Sequence, residues 1–133
     1  MTSRHSLTLS VLDDRLAVCR MAPLNPGESQ PVWASVGDLF SITQTADELS
    51  VVCDEDAVPA DVTSEPGWRC LKAHGPFEFS MVGVLASLTG PLAEAEISIF
   101  ALSTYDTDYL LVKEENLESA IEVLSERGHT ILR

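Results

Sequence analysis

Basic residues are scarce in this chain. Eight Lys plus Arg stand against 21 Asp plus Glu, a net charge of −13, and a surface of that sign repels phosphate backbones and anionic lipid headgroups. No nucleic acid and no membrane is expected as a partner. Cysteine is also sparse. Cys19, Cys53 and Cys70 form an odd set without a Cys-x-x-Cys pair, which excludes a disulfide framework and a structural zinc site and reads as thiols packed inside strands. His5, His74 and His129 have no ligand spacing to the cysteines, so neither a metal nor any other cofactor is expected. No apolar run approaches the ~20 residues of a membrane helix. The opening Met-Thr-Ser-Arg-His-Ser runs into alternating sequence and lacks the apolar stretch of a secretory signal. The expected location is cytoplasmic.

What the chain does have is a globular apolar fraction, 45% over 133 residues, enough for one ordinary domain or two very small ones. Its first half reads as short strands. Leu7, Leu9 and Val11 alternate with polar residues and Arg15 to Met21 alternate again around Asp13-Asp14, a pattern that predicts a hairpin. Phe40 to Thr43 and Leu49 to Cys53 predict a second hairpin with a polar tip. Residues 54–67, "DEDAVPADVTSEPG", combine acids with two prolines and a glycine and are the candidate linker, dividing the chain into residues 1–66 and 67–133.

The second half alternates strands with helices. Trp68 to Ala73 predict a strand. Met81, Val84, Leu85, Leu88 and Leu92 mark one helical face, which Pro91 should kink or divide. Ile97 to Leu102 and Tyr109 to Lys113 predict strands. Leu117, Ala120, Ile121 and Leu124 form the stripe of a second helix closed by Gly128, and His129 to Leu132 give a last strand. The order β-α-β-β-α-β predicts an α+β, ferredoxin-like domain with two helices on one face of an antiparallel sheet. In that topology Ile97 to Leu102 is an edge strand. An edge so apolar calls for cover, by another sheet of the same chain or by a second copy.

One stretch, "STYDTDYLLV" (103–112), sets Asp106 and Asp108 one residue apart between two strands. Such a pair can hold a metal, share a proton, receive a cationic group or turn the chain. No His-x-x-His and no activated Ser or Cys accompanies it, so catalysis is not expected.

The run "GPFEFSMVGVLASLTGPLAEAEISIFALSTYDTDYLLVKEENLESAI" (75–121) resembles the C-terminal domain of the small tandem ACT-domain proteins. These are bacterial proteins related to the ACT pairs of the eukaryotic CASTOR arginine sensor. The likeness extends to "RLAVCRM" (15–21), "FSITQTADELSVVCDE" (40–55) and "VP" (58–59). It implies two tandem ACT-like units, the first β-rich and truncated, acting as a non-enzymatic regulatory sensor that binds a small amino acid at an ACT–ACT interface. The alternative it leaves is an assembly module without a ligand. By the same resemblance, the ligand would meet the loop Met81, Val82, Gly83 and Val84, the start of an edge strand at Ser98 and Ile99, and the turn from Thr104 to Asp108, Thr104, Tyr105 and Asp108 above all. Asp108 would receive a cationic group while Asp106 shapes the turn. Pairing along Ile97 to Leu102 implies a homodimer or an intrachain ACT pair. The chain departs from the family in one place, Glu94-Ala95-Glu96-Ile97-Ser98 standing where relatives read Glu-Ala-Gly-Ile-Ser. If the left-handed geometry of that glycine is kept, it costs ~1 kcal/mol for Glu96, and the alternative is a rearranged helix exit.

Overall fold

A computed structural model describes residues 5–78 and 82–133. Met81, at the start of the expected helical stripe and ligand loop, lies outside the described residues. The chain forms two compact units: residues 14–68, and residues 69–133 together with the N-terminal segment up to Asp13. A cut at 66/67 differs from this mainly at the N-terminus, because the first strand belongs with the C-terminal unit.

The unit 14–68 contains β2 (Leu16–Met21), β3 (Ser41–Gln44), β4 (Leu49–Asp54) and the first part of β5 (Thr63–Ala73), in the order β3-β4-β2-β5. Its first and third strands are central and its second and fourth lie outside, the strand order of a ferredoxin-like sheet. Where that fold has crossover helices, this unit has two single 3₁₀ turns, Val32–Ser35 and Glu55–Ala57. Ala34 of the first turn joins Ala17, Cys19, Leu49, Val51 and Cys53 in the core. The β3–β4 hairpin forms as its alternation predicted.

Residues 54–67 are not a linker. Asp54 accepts from the Asp56 amide at 2.9 Å and caps the 3₁₀ turn, and β5 has begun by Thr63. The Pro66-Gly67 pair that resembled linker sequence is a β-bulge. Val18 faces Glu65 and Leu16 faces Trp68, so β5 carries an extra residue there, with Gly67 at φ +83°. Proline and glycine mark a bulge as readily as a loop, because both reflect backbone that leaves the ladder.

In the C-terminal unit, β1 (Thr8–Val11), the second part of β5, β6 (Ile99–Ser103), β7 (Asp108–Lys113) and β8 (Thr130–Leu132) lie in the order β8-β1-β5-β7-β6. The α+β, ferredoxin-like fold is present with one addition. A four-stranded sheet would place its last strand beside its first, but β1 occupies that place, antiparallel to β5 and parallel to β8. The expected hairpin between β1 and β2 is therefore corrected. Alternation specifies a strand with one buried face, and the same pattern serves a local or a distant partner. Helices α1 (Val84–Glu94) and α2 (Leu117–Glu126) bury Val84, Leu88, Leu92, Leu117, Ala120 and Leu124 against Leu9, Leu71, Leu110 and Val112.

Pro91 does not divide α1, which is one helix. Proline leaves the carbonyl four residues back, that of Ser87, without its helical donor. The buried His129 ring supplies one, its Nε2 lying 3.1 Å from the Ser87 oxygen. Its Nδ1 accepts from the Leu7 amide at 3.1 Å, which fixes the proton on Nε2.

Both helices end in the same way. Gly128 at φ +92° donates to Ser125 while His129 donates to Leu124, and Glu96 at φ +60° donates to Ala93 while Ile97 donates to Leu92. These are paired Schellman closures, and Glu96 holds the left-handed position that suits glycine. Glu96→Gly is expected to raise the unfolding free energy by about 0.5–1 kcal/mol, read as a higher urea midpoint at unchanged slope.

Candidate functional site

The chain leading out of β5 passes Gly75, Pro76 and Phe77 before reaching α1, and it runs against the tip of the β6–β7 hairpin. The Phe77 amide donates to the Asp106 carbonyl at 2.8 Å. A Cβ on Gly75 would stand 2.7 Å from that same carbonyl and 3.1 Å from the Thr107 Cβ, so only glycine allows this approach.

The hairpin tip is held by two threonines. The Thr104 amide donates to the Thr107 carbonyl at 2.8 Å, and the Thr104 hydroxyl accepts from the Thr107 amide at 3.3 Å. The buried Thr107 hydroxyl donates to the Ala73 carbonyl on β5 at 2.7 Å. Asp106 thus enters the turn through its backbone, and among the described residues its carboxylate bonds no turn amide. Asp108 opens β7, half-buried, and one of its oxygens accepts from the Ser103 hydroxyl at 2.6 Å. That bond fixes the carboxylate's direction and leaves acceptor capacity for a second donor.

Between this tip and the start of α1 is a hollow of about 220 Å³, lined by Phe77, Glu78, Val84 and the stretch from Ser103 to Asp108. Gly83 precedes α1 as its N-cap, at φ +83°, ψ +6°, and as a glycine it supplies no side-chain cap to the first helical amides. Unpaired amides at a helix start favour negative charge. Three acidic residues, Glu78, Asp106 and Asp108, are among those that line the hollow. The first residue of α1, Val84, thus lines the same hollow as three acidic residues, which brings an anion-favouring helix start near cation-favouring side chains.

Of the residues assigned from the sequence, Val84, Thr104, Tyr105 and Asp108 line the hollow, and Val82 and Gly83 adjoin it along the chain. Ser98 and Ile99 do not line it. Ile99 pairs with Val112, at the opposite end of the hairpin from Ser103 and Asp108. Sequence reasoning missed Glu78 and Gly75, while Thr107 lies within the turn from Thr104 to Asp108 that it assigned to the pocket. Thr107 was legible in the spacing Thr104-x-x-Thr107 around a two-residue tip, whereas the Gly75 contact depends on a chain approach no local pattern records. β6 bonds β7 alone among the described residues, which leaves its outer edge open.

Among the described residues, no group of three His, Cys, Asp or Glu side chains could hold a metal ion. The three thiols are buried. Burial pushes the Cys53 thiol up to about 11, with neighbouring Cys19 adding to the shift, and burial also raises Cys19. Protonated thiols are neither nucleophiles nor metal ligands. No helix among the described residues is long and apolar enough to cross a membrane.

Residues 63–126 match a family model described as the ACT domain, and residues 14–61 match a second model described as an N-terminal domain. The human protein named cytosolic arginine sensor for mTORC1 subunit 1 is 33% identical over 126 residues, covering 89% of this chain and 38% of that protein. The chain thus spans about two fifths of that relative's length. A crystal structure of a protein from Agobacterium tumefaciens is 41% identical, with a TM-score of 0.86 over 96% of this chain and 93% of that one. The regulatory subunit of aspartate kinase from Thermus thermophilus shares the fold at 14% identity, with a TM-score of 0.62 over 90% and 95% of the two chains. From the family match over residues 63–126 and the βαββαβ order of the same unit, the C-terminal unit of this chain is an ACT domain.

Proposed function

We propose that this chain is a non-enzymatic regulatory module of the cytoplasm that binds a free amino acid in the hollow of its C-terminal unit. The observation carrying this reading is a hollow of about 220 Å³ lined both by Val84, the first residue of α1 after its glycine N-cap, and by Asp108, whose carboxylate Ser103 orients. That volume is below the ~300 Å³ at which sites for drug-sized ligands begin, and it suits a single amino acid. The amides beyond Gly83 receive the α-carboxylate and Asp108 receives the cationic end. Acidic lining ranks basic amino acids first. The human relative is named an arginine sensor, which agrees with that ranking.

The open edge of β6 supports the second half of the reading. It pairs two copies, and Ser98 and Ile99 at its start then border the hollow of the partner copy. That placement accounts for their distance from the hollow of their own chain. The same open edge favours one alternative, an assembly module that pairs through β6 and binds nothing.

A thermal-shift screen with each common L-amino acid separates the two, because a ligand at a hundred times its Kd adds ~2.7 kcal/mol of stability. A shift with at least one amino acid is expected, and none with any would leave the assembly reading. For the amino acid found, Asp108→Asn is expected to weaken binding by about ten- to a hundredfold by calorimetric titration, the loss of one charge-assisted bond. Asp106→Asn should do much less. Equal affinity of wild type and Asp108→Asn would overturn the assignment.

A further inference from the structure

The N-terminal segment reaches the loop that enters α1. Leu7 is buried and anchored by both backbone groups, its amide donating to His129 Nδ1 and its carbonyl accepting from the Thr130 amide at 2.8 Å. Two residues earlier, His5 Nε2 lies 2.7 Å from the carbonyl oxygen of Val82. That oxygen can only accept, so Nε2 carries the proton and donates it. The Val82 side chain is 85% exposed and gives this part of the loop no packing of its own. Gly83 follows at φ +83°, and a Cβ there would stand 3.8 Å from the same imidazole nitrogen. His5 thus holds the peptide that joins Val82 to the left-handed N-cap, and it covers the side of Gly83 that a side chain would otherwise fill.

We infer that His5 is a positioning residue of the glycine loop, clamping the Val82–Gly83 backbone so that the first amides of α1 point into the hollow. Binding through those amides, the part of this inference that rests on the function proposed above, then depends on a side chain far away in sequence. Backbone that leaves the helical region at a glycine has many alternatives. Without an external tie, the loop samples them, and only a fraction of molecules presents the amides. Apparent affinity falls in proportion to that fraction.

The test compares wild type, His5→Gln and His5→Leu in the full chain. A glutamine amide can reach Val82 as Nε2–H does, and leucine cannot donate. Amide hydrogen exchange of Ser87, whose N–H donates to the Gly83 carbonyl at 2.9 Å, is expected to quicken by about five- to tenfold in His5→Leu and to return to within about twofold of wild type in His5→Gln. Calorimetric titration with L-arginine as the probe should follow the same order, His5→Leu binding several-fold more weakly. Unchanged exchange in His5→Leu, or equal quickening in both variants, would overturn the clamp. If L-arginine binds none of the three proteins, the ligand assignment fails while the exchange comparison still decides the role of His5.

Discussion

His129→Leu should lower the unfolding free energy by about 2–5 kcal/mol, although leucine is close to histidine in size and is apolar. The loss comes from what the ring leaves behind. Ser87 has a carbonyl whose helical donor is missing because residue 91 is proline, and Leu7 has an amide just before β1. Both face His129, which is 4% exposed, so water does not readily replace it. A buried polar group left unpaired costs about 1–3 kcal/mol, and here there are two. A second substitution isolates the cause. Pro91→Ala restores the amide that would bond the Ser87 carbonyl, so in the His129→Leu background it should recover about 1–2 kcal/mol. In wild type, where the histidine already satisfies the carbonyl, it should gain little. Urea unfolding of the four proteins measures this coupling as a double-mutant cycle. Purely additive effects would show that the proline and the histidine do not serve the same oxygen.

Gly75→Ala is expected to cost about 1–3 kcal/mol, the range for overpacking against atoms that cannot move aside. The obstruction is backbone. The Asp106 carbonyl would lie 2.7 Å from the new Cβ, and it is fixed because it also accepts from the Phe77 amide at 2.8 Å. Relief therefore requires the strand exit and the hairpin tip to separate, which opens the hollow they border. The variant should accordingly lose stabilisation by any amino acid that shifts wild type in the thermal screen, beyond its own lower midpoint. Gly90→Ala supplies the contrast, since nothing lies within 4 Å of a Cβ at Gly90 and the position is inside a helix. There alanine should be neutral or stabilising by up to about 1 kcal/mol.

The sequence by itself determined which segments are helices and strands in the C-terminal unit, because periods of 3.6 and 2 are written locally. The stripes Val84, Leu88, Leu92 and Leu117, Ala120, Leu124 are buried as their spacing requires. It determined that the cysteines are buried thiols, whereas the structure decided that the helix exit keeps its left-handed position, which Glu96 occupies at a cost. Only the tertiary structure decided the partners. The alternating segment Thr8–Val11 pairs with β5 and β8 and not with β2, since a period-2 pattern specifies a buried face and not the neighbour across the ladder. The Pro66-Gly67 punctuation became a bulge within β5 because breaking a ladder and ending it use the same residues. The hollow was half legible. Asp108 and Thr104 stood out in one short motif, but the segment from Gly75 to Glu78 meets the hairpin tip, and His5 meets the loop before α1, from other parts of the chain, and closeness of that kind arises from packing.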